Sequence, residues 1–422
     1  MKFIVWFLLT LLLVSSVFSP LVYFQNTVKD APSNEEFYFG VTFGGNTTSE
    51  AKLLIDKVKG YTNLFVIDSW DISGASNETI LDEICDYAVN ANLNVMVYFS
   101  FIFWNYTTRF GNGTLYNATS WDQFGYTPWH IPWMNNARER WGNKFLGIYL
   151  YDEPGGKQID TGYWGGNMTT FSGAKITAFA NLTGYSDAAN RFTIGRSGIL
   201  RSGSMQHVIN SSIPNSINSP MPVFTSDNAL YWFDYLSGYD VVFAELGWNH
   251  NQVQHIALCR GAANVQNKQW GAIITWASND PPYLASGMQM RQDMLTAYRA
   301  GAKYIIVFNY PQINPYGALT EEHFTAMKAF WDQIHISPES VSTKVVGQVA
   351  FVLPKDYGWG MRNPDDRIWG IWFADEKAPL IGTSIAKLIK EYGLRLDIIY
   401  DDPQFNFTEK YSKIYFWNST ID

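Results

Sequence analysis

Only two of the 422 residues are cysteine, Cys85 and Cys259, far apart in helix-like stretches. A disulfide-stapled scaffold is excluded, and both are expected to be buried free thiols. The six histidines, His130, His207, His250, His255, His323 and His335, form no H-x-H, H-E-x-x-H or C-x-x-C spacing with each other or with the cysteines. His250 and His255, five apart at a helix start, are expected to face different directions. No metal and no cofactor is therefore expected. Basic charge is also scarce: 30 Lys and Arg against 38 Asp and Glu leave a net charge of -8. Without a run of Lys or Arg to neutralise phosphates, nucleic acid is excluded as a partner. Charged residues make up only 16%, against 28 Phe, 25 Tyr and 17 Trp, so the chain is packed rather than disordered. The surplus Trp and Tyr either fill the core or offer flat faces for sugar rings, and position has to decide.

Residues 3–24 carry no charge and follow Lys2, which predicts an export segment over 1–24. It reads as a signal peptide or, since about 20 apolar residues can span a bilayer, as an N-terminal membrane anchor. Ten N-x-S/T sequons follow, at Asn46, Asn77, Asn105, Asn112, Asn117, Asn167, Asn181, Asn210, Asn406 and Asn418. Chance supplies several, but ten favour an extracellular glycoprotein, secreted or anchored to the outer face of the cell membrane.

After a linker over 25–36, short β-rich apolar runs alternate with amphipathic helical patterns. Eight strands are expected, at 37–43, 63–68, 94–100, 145–153, 222–227, 240–245, 272–278 and 304–310. Over 37–340 they predict an α/β fold of the (β/α)8 TIM barrel type, with enlarged loops after the third and fourth strands. A doubly wound open sheet would have fewer strands and a Gly-rich phosphate turn; FGGNTT and EPGGKQ read as tight turns, with no Lys-Ser/Thr after them. From 341 to 422 a shorter strand–helix–strand pattern predicts a small α/β accessory domain. The Trp-rich block 357–372 reads first as the seam between the two domains. Its second reading is a loop folded onto the barrel mouth, bringing Trp359, Arg362 or Trp369 to the site.

Reacting groups of such barrels sit at the carboxyl ends of the strands. Acids gather there: Asp68, the pair Asp152-Glu153, Asp227, Glu245 and, beyond the seventh strand, Asp280. A lone carboxylate at such a place is more often a helix cap. Several at one mouth repel each other unless something useful binds, and two flanking one bond are what glycoside hydrolysis requires. Aromatics follow the same ends, at Trp70, Trp104, Trp248, Trp276 and Tyr310. These acids and aromatics, with Asn309, are expected to bind a poly- or oligosaccharide.

The run Tyr151-Asp152-Glu153-Pro154 resembles the W-N-E-P ending of the fourth strand in clan A glycoside hydrolases, with Asp152 where that clan has Asn. The resemblance spans roughly 37–335 and implies that Glu153 is the general acid/base. Asp152 beside it would raise the pKa of one of the two. That clan places its nucleophilic Glu on the seventh strand, where this chain reads ITWASND and has none. Glu245, ending the sixth strand, is the candidate partner. Other barrel glycosidase clans pair acids on the fourth and sixth strands with the roles reversed, so the two assignments stay open. The C-terminal unit resembles the accessory domain of some β-galactosidase-like enzymes. The expected function is an extracellular glycosidase using two carboxylates. Its rivals are a non-catalytic carbohydrate-binding glycoprotein on the same barrel and a metal-dependent hydrolase, for which no ligand cluster is visible.

Overall fold

The computed structural model describes residues 37–74, 78–99, 106–109, 115–118, 130–161, 168–169, 175–176, 182–200, 221–338, 341 and 344–419. Side chains are described at 37–73, 78–99, 133–160, 182–193, 221–338, 341 and 344–419. The export segment, Trp104 and the sequons Asn77, Asn105, Asn112, Asn167, Asn181 and Asn210 lie outside the described residues. Among those described, no helix is long and apolar enough to cross a membrane.

Eight strands close a barrel: β1 (Tyr38–Phe43), β2 (Leu64–Ile67), β3 (Asn94–Phe99), β4 (Phe145–Leu150), β5 (Val223–Asp227), β6 (Val241–Leu246), β7 (Gln269–Ile274) and β8 (Tyr304–Val307). Each pairs in parallel with its sequence neighbours, and β8 closes on β1. This is the expected (β/α)8 architecture. Strands β1, β2, β5 and β6 are buried along their whole length, as strands packed on both faces must be.

Helices α1 (Thr48–Val58), α2 (Glu78–Asn90), α3 (His130–Trp141), α4 (Pro154–Thr161), α5 (Tyr185–Leu200), α6 (Tyr231–Ser237), α7 (Gln252–Gln266), α8 (Gly287–Arg299) and α9 (Glu321–Ile336) lie between and after the strands. Their starts follow local chemistry. Thr47 and Glu50 form a reciprocal capping box that begins α1, and Asn251 and Ser286 cap α7 and α8. The enlarged loops after β3 and β4 each carry a short hairpin, 106–109 with 115–118 and 168–169 with 175–176.

Part of the aromatic surplus fills the core, the first of the two expectations. Inside the barrel, Tyr38 stacks on Tyr304 at 5.0 Å and Phe224 on Phe243 at 5.8 Å, while Tyr149 meets Phe243 at 6.0 Å. This plug is a packed core with Leu64, Val66, Met96, Ile273 and Ile306. Cys85 and Cys259 are buried free thiols, as expected.

After the barrel, β9 (Val349–Leu353), α10 (Lys377–Tyr392), β10 (Leu396–Tyr400) and β11 (Lys413–Phe416) build a small parallel sheet of order β10-β9-β11. Its seam with the barrel is polar at one point. Arg260 on α7 bonds Asp397 Oδ1 at 2.7 Å and donates to the carbonyls of Leu394, Leu396, Val345 and Ala300. The block 357–372 seals another stretch. Trp359 and Trp369 are buried, Gln158 on α4 donates to Trp369 O, and Gln254 on α7 donates to Met361 O.

Candidate active site

Strand β4 ends at Leu150, three residues short of Glu153, and the chain turns sharply before α4. Tyr151 and Glu153 both take left-handed backbone angles, with φ of 62° and 48°, at a cost of order 1–3 kcal/mol each. Neighbouring strands hold the turn. Tyr151 N donates to Phe99 O on β3, Glu153 N to Ser226 O on β5, and Thr225 Oγ1 to Tyr151 O at 2.6 Å. Beneath it Asp227, fully buried, accepts from the amides of Gly155, Gly156, Asn228 and Ala229 at 2.5–3.0 Å. Asp227 was expected to bind substrate. It is instead the anchor of α4 and the following turn, because its carboxylate is consumed by the orphan N–H groups of those starts.

The turn presents Glu153 to a cavity of about 830 Å³ at the carboxyl ends of the strands. Asp68, Asp152, Glu153 and Glu245 line it, with Trp70, Trp248, Trp276 and Tyr310. Trp70 and Tyr310 keep about half their surface open, at 51% and 46%. Trp276 lies nearly parallel to Tyr310, edge-on to Trp248, and its Nε1 donates to Tyr310 O.

Glu245, the penultimate residue of β6, has 4% of its surface exposed. A hydroxyl chain fixes it: Ser226 Oγ donates to Glu245 Oε1 at 2.7 Å and accepts from Tyr149 OH at 2.6 Å. Its Oε2 is buried with no hydrogen-bond partner among the described residues. Burial, and then the Glu153 and Asp152 charges, push Glu245 well above the usual carboxylate range. Burial, and then the Asp152 charge, raise Glu153 from 4.5 to about 7, against the pull of Lys157. Lys157 bonds Asp152 Oδ2 at 3.1 Å; desolvation opposes its charge, but Asp152 and Glu153 outweigh it and hold its pKa above normal. Asp68 is raised by burial and by Asp152.

The structure thus gathers Asp68, Trp70, Asp152, Glu153, Glu245, Trp248, Trp276 and Tyr310 in one cavity. Asp280 and Asn309 are not in it. Strand β7 ends at Ile274, earlier than the expected 278, which leaves Asp280 in an exposed loop. Asn309 is buried and shapes the loop after β8, accepting from the amides of Ala318 and Leu319 and donating to Tyr316 O. Sequence reasoning missed Tyr149, Ser226 and Asn228, uncharged groups whose side chains matter only through their partners. Asn46, expected as a glycosylation site, also lines the cavity, placed there by the α1 capping turn.

His250 and His255 do not face apart: their rings stack with centroids 5.1 Å and planes 18° apart. His250 precedes the cap Asn251 and escapes helical spacing. Burial lowers both pKa values, that of His255 to about 3. Among the described residues, no three His, Cys, Asp or Glu side chains are grouped to hold a metal.

No family model and no curated protein matches this sequence. Solved structures do. Alpha-L-fucosidase isoenzyme 2 from Paenibacillus thiaminolyticus aligns at 13% identity with a TM-score of 0.50, over 90% of this chain and 59% of that one. A GH5_18 protein from Streptomyces cattleya aligns at 11% identity and a TM-score of 0.49, over 90% of this chain and 98% of that chain. Another, from Bifidobacterium longum subsp. longum, aligns at 10% and 0.49, over 91% and 98%. The chain spans little more than half the length of the fucosidase chain. The likeness at this identity is one of fold.

Proposed function

We propose that the protein is a glycoside hydrolase acting outside the cell on a poly- or oligosaccharide, with Glu153 as acid/base and Glu245 as nucleophile. One observation carries this reading: two carboxyls, one in the turn after β4 and one on β6, line the same aromatic-walled cavity, and burial raises both, that of Glu153 to about 7. A buried pair of like groups costs stability, and bond cleavage between a sugar and its leaving group is the chemistry that uses it. Glu245 is not tied up in a salt bridge: Oε1 accepts a hydrogen bond from Ser226 Oγ, which supports the carboxylate form a nucleophile needs and partly offsets the burial that raises its pKa. Glu153 is the more accessible of the two, where a leaving oxygen and then a water can arrive.

In the first step Glu245 attacks the anomeric carbon as its bond to the leaving oxygen breaks, and Glu153 gives that oxygen its proton. In the second, Glu153 takes a proton from water, whose oxygen displaces Glu245 and releases the sugar. A nucleophilic Glu245 implies retention of configuration, whereas an inverting enzyme would hold a water between carboxyls roughly 6.5–9.5 Å apart. Trp70 and Tyr310 offer open ring faces to flanking sugar units. Export rests on the uncharged segment 3–24 and the sequons.

The test uses aryl glycosides of both anomers with good and poor leaving groups. Glu153→Ala should lose about 1,000-fold on poor leaving groups, keep turnover of dinitrophenyl glycosides, and form a glycosyl azide of retained configuration with azide. Glu245→Ala should be inactive on both. The opposite pattern would exchange the two roles, and saturable sugar binding without any turnover would sink the enzyme reading in favour of a binding protein.

A further inference from the structure

We infer that Arg362, from the block between β9 and α10, and Asn228, after β5, are positioning residues that decide which oxygen of Glu153 carries the proton. The inference deepens the glycosidase reading and rests on it for its catalytic meaning. Arg362 Nη1 donates to Asn228 Oδ1 at 3.0 Å, and Asn228 Nδ2 donates to Glu153 Oε1 at 3.0 Å. A guanidinium has no acceptor, so the amide oxygen of Asn228 must face Arg362 and its NH2 must face Glu153. A flipped amide would set NH2 against guanidinium. Because the NH2 can only donate, Glu153 Oε1 must accept, and the acidic proton is left to Oε2. One donor-only group at the domain seam thereby fixes the proton of the acid two hydrogen bonds away.

The relay is built in. Asn228 is 6% exposed. Gly156 lies against it so closely that a Cβ there would stand 2.6 Å from Asn228 Oδ1, which leaves the amide no second position. Arg362 is itself locked: its backbone N and Nε donate to Asp366 Oδ2 at 2.8 and 3.1 Å, and Nη2 donates to Asp160 Oδ1 at 2.6 Å. With two carboxylates on the guanidinium, little of its charge is left uncompensated at Glu153, and Arg362 acts through the direction of its hydrogen bond. The charged groups that face Glu153 itself are Asp152 and Lys157 on its own turn and helix, Asp227 on β5 and Glu245 on β6. All four stay in place in the variants below.

The experiment follows the Glu153 carboxyl by carbon NMR in full-length protein labelled at glutamate Cδ, assigned by its loss in Glu153→Gln, beside the pH profile of kcat/KM. Loss of the NH2 donor removes support for the carboxylate form. Asn228→Leu and Asn228→Asp should therefore raise the midpoint by about one pH unit and move the alkaline limb of the profile with it. Arg362→Met should shift it in the same direction, and Arg362→Lys, donor-only like arginine, should restore the wild-type midpoint. The two Asn228 variants keep the test valid if Arg362→Met fails to fold. An unchanged midpoint in both Asn228 variants would overturn the inference. The titration decides even if the wild-type protein turns over no glycoside, an outcome that counts against the glycosidase reading alone.

Discussion

Glu153 combines two costs in one residue, a left-handed backbone and a carboxyl kept protonated up to about pH 7. The second has a sign in stability. Below about pH 4.5 the folded and unfolded chains both hold the proton, and the group makes its full contribution. Between 4.5 and about 7 the unfolded chain releases the proton while the folded one retains it, so stability falls as pH rises and levels off above 7. A shift of this size corresponds to about 3 kcal/mol. Glu153→Gln keeps an acceptor for Asn228 and cannot ionise. It should match wild type in urea denaturation at pH 4 and be more stable by about 3 kcal/mol at pH 8; parallel curves at the two pH values would contradict the assigned burial of this carboxyl. Catalysis runs with the same sign, since the acid must be protonated: kcat/KM should fall on the alkaline side with a midpoint near the same value.

At the scale of elements, the β4–α4 turn depends on β5. Asp227 supplies acceptors to four amides, at the first turn of α4 and in its own loop. An amide in its place has one acceptor oxygen and turns an NH2 toward N–H groups. Asp227→Asn should cost about 1–3 kcal/mol and depress kcat more than KM, because the turn that aims Glu153 loosens while the aromatic walls stay. Unchanged kcat with reduced stability would mean that β3 and the Thr225 hydroxyl hold the turn by themselves. The sequence showed an acid at this strand end but not its task. A helix-capping carboxylate and a substrate-binding one share residue type and position, and only the direction of the side chain separates them. The strand β7 boundary was misplaced for a related reason: the apolar run continues through Thr275-Trp276-Ala277 into a loop that packs on Tyr283 and Tyr310 without strand pairing.

For the whole molecule, the seam between barrel and C-terminal sheet turns on Arg260, 2% exposed, and Asp397, fully buried. Arg260→Met strands Asp397 with only the donors of Asn264 and Tyr411. The expected loss is about 3–5 kcal/mol, read as a fall in the urea midpoint, and a loss below about 1 kcal/mol would place the seam's stability in its buried Trp residues instead. Through Asn228, Arg362 of the block between β9 and α10 is hydrogen-bonded to Glu153 without lining the cavity.

Alternating apolar runs determined the eight parallel strands and their helices, because strand and helix periods are local properties that survive averaging over the fold. Strand order then put Asp152, Glu153 and Glu245 at one end of a barrel before any side chain was placed. The tertiary structure decided the rest. It turned Asp227 and Asn309 inward to backbone amides, stacked His250 on His255, and linked Tyr149 to Ser226 and Glu245 and Arg362 to Asn228 and Glu153. Such bonds depend on side-chain direction within about 3 Å between residues up to 134 positions apart. No local pattern in the chain encodes that geometry.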